Sequence, residues 1–218
     1  MRIIVVSLLI AFLSGMAHSS TNFVDSKLKL ANRGDVNAQY FLGLMYANGS
    51  NGVDKDAYKS VFWYTKAAEQ GDVTAQFTLG QVYSSGLGVP VDDRESVKYY
   101  TMAAKQGDAG AMNNLGVKYS TGAGIPQNDK IAAGWYKKAA AEGVTDAQVN
   151  LALMYSNGVG VKHSFLDAYV WFSMAKLSGH TLAGEKLQEL KKRTPTDQIS
   201  RAQQLATNCY ESAYKDCG

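Results

Sequence analysis

The side chains best suited to chemistry are scarce: three His and two Cys in 218 residues. His163 falls in a turn and His180 directly follows Gly179. Neither has a second His, a Cys or a carboxylate at the spacing a metal site needs. There is no H-E-x-x-H pair, no G-x-S-x-G elbow and no phosphate-cradling P-loop. The G-x-G stretches at 86–88, 122–124 and 158–160 follow helical patterns rather than strands, which excludes the dinucleotide fingerprint. The expectation is a protein that is no enzyme, with no catalytic residue, no metal ligand and no cofactor. Cys209 and Cys217 are close in sequence near the C-terminus. In an oxidising compartment they suit a disulfide, closing a short loop worth about 2–3 kcal/mol at best. Two free thiols and an intermolecular bond are the alternatives.

The N-terminus bears on that compartment. Met1-Arg2 is followed by an uncharged stretch, Ile3 to Ala17, whose apolar heart is shorter than the roughly 20 residues of a spanning helix. A charged start, a short apolar run and small residues at its end describe a signal peptide over 1–17. The expectation is a periplasmic or secreted protein, without stable membrane insertion once the signal is cleaved. The formal net charge is +3, from 22 Lys and Arg against 19 Asp and Glu. Near-balance argues against a nucleic-acid partner.

What positions these residues is a repeat. Gly34, Gly71, Gly107, Gly143 and Gly179 are spaced by 37, 36, 36 and 36 residues. Ala38, Ala75, Ala111, Ala147 and Ala183 follow four later, and Leu42, Leu79, Leu115, Leu151 and Leu187 four later again. Tyr46, Tyr83, Tyr119 and Tyr155 continue the column, and Trp63, Tyr99, Trp135 and Trp171 share another. The single spacing of 37 reflects one extra residue in Gly49-Ser50-Asn51-Gly52.

Each unit predicts two helices. Ala38, Leu42 and Tyr46 stack at i, i+4 and i+8 on one face of a first helix. Ser60, Trp63, Tyr64 and Ala67 form one face of a second. The Gly-rich turn between them supplies the positive φ that ends the first helix, and Pro90 and Pro126 keep it from running on. Gly-Asp at 34–35, 71–72 and 107–108 offers an acid near the next helix start. Gly43, Gly80 and Gly116 leave room for close packing, and the Trp column reads as core. Thr196 offers an N-cap for a last helix after Pro195.

The pattern A-x-x-x-L-G-x-x-Y-x-x-G-x-G-[VI]-P…A-x-x-W-Y-x-x-A-A-x-x-G resembles the Sel1-like repeat, a relative of the tetratricopeptide repeat. The resemblance spans about residues 31–179. Ala152 and Lys162 depart from the Gly and Pro of the pattern, and Tyr99 from its Trp. It implies an all-α fold, a right-handed α/α solenoid of about four repeats with helical caps, and a protein-interaction role. The organisation expected is a capping helix over 18–33, repeats over 34–70, 71–106, 107–142 and 143–179, and C-terminal capping helices over 180–218. No Cys lies inside the units, so activities of cysteine-rich relatives, such as penicillin binding, do not transfer.

On a helical wheel the side opposite the Ala-Leu-Tyr face carries Tyr40, Leu44, Phe77, Gln81, Asn113, Val117, Val149 and Leu153. The resembled superhelix lines its concave groove with this side. A partly apolar surface almost free of charge suits an extended peptide or a partner helix. The leading expectation is an exported, non-catalytic scaffold or adaptor for a protein or peptide. The alternatives are a periplasmic inhibitor or immunity protein neutralising a toxin or cell-wall hydrolase and, least favoured, a hydrolase on cell-wall or β-lactam substrates.

Overall fold

The computed structural model describes residues 23–215 and 217. The expected signal peptide at 1–17 and the first residues of the capping segment at 18–33 lie outside the described residues.

The described residues form helices joined by turns, with no strand. Residues 23–32 are helical (α1). Then come α2 (Val36–Asn48), α3 (Ala57–Glu69), α4 (Val73–Ser85), α5 (Asp93–Lys105) and α6 (Ala109–Thr121). They are followed by α7 (Asp129–Ala141), α8 (Thr145–Asn157), α9 (Phe165–Leu177), α10 (Thr181–Lys192) and α11 (Thr196–Glu211). The chain divides into two compact units, residues 1–92 with α1–α4 and residues 93–218 with α5–α11.

Helix length is set by punctuation at both ends. Asp35, Asp72 and Asp108 are N-caps, each accepting a hydrogen bond from the amide three residues on, at 2.6–2.7 Å. That satisfies an orphan donor at the positive end of the helix. The register continues with Val144 and His180, which make no such bond. At the far end Gly49, Gly86, Gly122 and Gly158 take left-handed φ values of 67–76°. The second Gly of the turn has a further reason to be there. A β-carbon on Gly124 would collide with the backbone of Asp93 at the start of α5, and one on Gly160 with Asp129 at the start of α7.

In the first unit α3 packs against both α2 and α4. Its core holds Ala31, Ala38, Leu42, Met45 and Trp63. In the second unit each helix from α5 to α9 packs on the next, and α11 also lies against α9. Its core centres on Leu151, Val170, Trp171, Phe172 and Met174. Burying the Leu, Val, Phe and Met side chains among these contributes about 1.5–3 kcal/mol each.

Two expectations need correction. Trp135 is half-buried rather than core, with the ammonium of Lys138 4.5 Å from its ring centroid. Thr196 is the first helical residue of α11, not its N-cap. Pro195 stands at that position and no side chain caps the helix.

A set of buried Gln side chains was not anticipated. The Nε2 groups of Gln39, Gln76 and Gln148 donate to the carbonyls of Ala31, Ala68 and Ala140, eight residues earlier, at 3.0, 3.0 and 3.3 Å. Each bond ties a first helix to the last turn of the second helix preceding it. The third repeat has Met112 at this position.

Candidate functional site

The eight surface positions do not fare alike. In the first unit Leu44 is 38% exposed, Gln81 is exposed, and Tyr40 and Phe77 are half-buried. The Tyr40 ring lies 5.4 Å from the Tyr64 ring, centroid to centroid. In the second unit Val117 is 38% exposed and Asn113 and Leu153 are half-buried. The Asn113 side-chain oxygen is buried without a hydrogen-bond partner. Val149 is the correction: it is 4% exposed and belongs to the core. A wheel shows which side of α8 the residue occupies. It does not show that α6 also touches α8, so that first helices flank one another on this side.

Between α2, α3 and α4 lies a cleft of about 380 Å³. Leu44, Ala47, Val61, Tyr64, Val82 and Leu87 give it apolar walls. Asn48, Ser60, Thr78 and Gln81 place amides and hydroxyls along it, and Lys55 is the charged residue at its edge. Burial pushes the Tyr64 hydroxyl up to about 12, with Tyr40 adding to the shift and a hydrogen bond with Ser60 opposing it. The group therefore stays protonated and neutral at physiological pH. The cleft thus offers a side-chain-sized apolar recess with donors and acceptors beside it, the ingredients for holding a peptide segment.

A second cleft, of about 120 Å³, lies between α8, α9 and α10. It is the same place in the repeat. Leu153, Ser156, Asn157 and Phe172 hold the register positions of Leu44, Ala47, Asn48 and Tyr64. Lys186, Glu189 and Leu190 hold those of Thr78, Gln81 and Val82, and Arg193 that of Ser85. Glu189 accepts hydrogen bonds from Lys186 Nζ at 3.1 Å and Arg193 Nη2 at 2.7 Å. The Lys186 hydrogen bond, then the charges of Lys186 and Arg193, hold its carboxyl below the usual range. The walls are alike; α4 brings Thr78 and Gln81 to one cleft, where α10 brings Lys186 and Glu189 to the other.

His180 Nε2 lies 3.6 Å from Asp146 Oδ1, and its Nδ1 is buried without a hydrogen-bond partner. His163 is exposed in the turn before α9. No group of three His, Cys, Asp or Glu among the described residues is placed to hold a metal ion. Near the C-terminus Cys209 and Cys217 are placed as a disulfide-capable pair, with Cα atoms 4.5 Å apart. Sequence reasoning also missed an ion pair. Lys118, buried on α6, reaches Asp93 at the start of α5, 2.5 Å away.

Comparison with known proteins follows the same register. The family model of the Sel1 repeat matches residues 36–72, 73–108, 109–144 and 145–180. Among solved structures, a protective antigen present in uropathogenic Escherichia coli strains and displaying an SLR fold is 33% identical, with a TM-score of 0.75 over 88% of this chain. A Sel1 repeat protein from Oxalobacter formigenes is 31% identical, with a TM-score of 0.65 over 75% of this chain. The chain spans 42% of the length of the first and 65% of the second. No curated protein sequence matches the chain significantly. These likenesses place the fold among all-α solenoids of about four repeats.

Proposed function

The chain belongs to the Sel1 repeat family, and we propose that it is an exported, non-catalytic scaffold that binds a protein or peptide through the exposed side of its first-type helices. Sel1 repeats commonly serve as protein-interaction scaffolds. The observation that carries the reading here is the cleft of the first unit, where Leu44, Val61, Tyr64 and Val82 wall a recess edged by Asn48 and Gln81. An incoming apolar side chain is taken out of water there, while neighbouring backbone groups find amide partners. An apolar recess edged by amides and hydroxyls is suited to binding. Neutralising a toxin or hydrolase would be one form of such binding.

Export is supported by the charged start and short apolar run of residues 1–17, and by the Cys209–Cys217 pair, which suits an oxidising compartment. No helix among the described residues is long and apolar enough to cross a membrane. The test is partner capture by the mature chain and by a Leu44→Ser, Gln81→Ala variant of unchanged helicity. Loss of the partner supports the assignment of this face, and undiminished capture contradicts it. Sequencing the N-terminus of protein from the periplasmic fraction tests export: a start beyond residue 17 supports it and an intact Met1 contradicts it.

A further inference from the structure

We propose that the cleft between α8, α9 and α10 is an anion-selective subsite, taking an apolar side chain of the partner that has an Asp or Glu carboxylate beside it. The proposal rests on the protein-binding reading above and narrows it to one partner chemistry. Its warrant is the comparison that the repeat itself provides. The two clefts share their floor, with Leu153 for Leu44 and Phe172 for Tyr64, and both keep an Asn at the mouth, Asn157 and Asn48. They differ where Lys186 and Glu189 stand in place of Thr78 and Gln81, and where Arg193 lines the second cleft while its register equivalent, Ser85, does not line the first.

Glu189 uses one oxygen on each cation, Oε2 on Lys186 and Oε1 on Arg193, and its lowered carboxyl pKa keeps it charged. Two cations against one anion leave a net positive charge at the rim. An ammonium has three donors and a guanidinium five, so most of their N–H groups remain unused by Glu189. The carboxylate thus holds the two cations together in the cleft lining without exhausting them. A second carboxylate arriving there gains charge-assisted hydrogen bonds next to an apolar floor, where the local dielectric is lower than in water. An incoming cation meets two like charges. The first cleft has Thr78 and Gln81 at the same positions and a single cation, Lys55, where the second has the paired Lys186 and Arg193. The rim side chains are exposed, so the preference weakens as salt rises.

The experiment uses the mature chain and a phage-displayed library of random heptapeptides. It is panned against the wild type and against Lys186→Thr, Glu189→Gln, Arg193→Ser, which puts the residues of the first unit at these three register positions. The wild type is expected to enrich an apolar residue next to Asp or Glu. The best such peptide, made synthetically, is expected to bind about tenfold more weakly to the triple variant, or when its acid is changed to the amide. The single variant Arg193→Ser, at an exposed position, gives a smaller loss in the same direction and guards against a misfolded triple variant. An acidic preference that persists undiminished in the triple variant overturns the subsite and leaves the binding reading standing. Enrichment without acidic preference does the same. Peptides that bind equally well after Leu44→Ser with Leu153→Ser overturn both.

Discussion

The ring of Tyr64 on α3 lies against the backbone of Gly43 on α2, so that a β-carbon at residue 43 would stand 2.5 Å from the ring's Cδ1. Gly116 and Tyr136 repeat the relationship, with the nearest ring atom again at 2.5 Å. At Gly43 and Gly116 the missing side chain therefore makes room for an aromatic ring rather than for a helix backbone. Gly43→Ala is expected to destabilise the protein by about 1–3 kcal/mol through overpacking, read as a lower urea midpoint with an unchanged slope. Because Tyr64 walls the first cleft, the same variant should also bind the partner less well.

Tyr64 also predicts an alkaline weakness. Its hydroxyl ionises near 12 in the folded chain against an ordinary value of 10.0. Below pH 10 the group is protonated in both folded and unfolded chains, and its contribution to stability is fully present. Between pH 10 and 12 the unfolded chain loses its proton first, and stability should fall by on the order of 2 kcal/mol. Burial raises the Tyr136 and Tyr155 hydroxyls as well, so part of the fall should remain in Tyr64→Phe. Denaturant midpoints of wild type and Tyr64→Phe across this range, with tyrosinate absorbance followed in parallel, check the sign and the residue.

The buried Gln set makes a stabilising prediction. Gln39 Oε1 accepts a hydrogen bond from Gln70 Nε2 at 2.6 Å, whereas Gln148 Oε1 is buried without a hydrogen-bond partner. Ser178 holds the register place of Gln70, and its hydroxyl bonds instead to the Met174 carbonyl. Ser178→Gln should supply the missing donor and stabilise the protein by about 0.5–1.5 kcal/mol. A higher midpoint in thermal unfolding followed by circular dichroism is the expected result.

The Lys118–Asp93 pair behaves differently from either of its halves. Its register neighbours, Met45, Val82 and Met154, are apolar, so the site accommodates a chain without charge. Lys118→Met should change stability by less than about 1 kcal/mol, whereas Asp93→Ala, which takes the carboxylate away from a buried ammonium, should cost about 1–3 kcal/mol. The double variant should recover most of that loss, and urea unfolding of all three completes the cycle.

Much of this architecture was legible because it is periodic and local. The Gly, Ala, Leu and Tyr columns mark helix starts, buried faces and helix ends. The Gly–Asp pairs place an acid where Asp35, Asp72 and Asp108 do cap helices. What escaped depends on how neighbouring helices lean on one another. Val149 sits on the expected side of α8, but that side is flanked, and an apolar side chain there joins the core. Lys118 and Asp93 are 25 residues apart and meet only through packing of α5 and α6. Gln148 and Ala140 are linked across a turn, where no helix-face periodicity applies. The two equivalent clefts were implicit in the register. Recognising them needed the knowledge that the second helix contributes Tyr64 and Phe172 to the same recess.

The central claim is that partners dock on the exposed side of the first helices. Site-specific photo-crosslinking in cells tests it most directly, with the reactive residue placed at Leu44 or Val117 on that side and at Lys98 or Gly134 on the exposed side of the second helices. The same protein adduct is expected from residues 44 and 117 and none from 98 and 134. Adducts from 98 and 134, with none from 44 and 117, would contradict it.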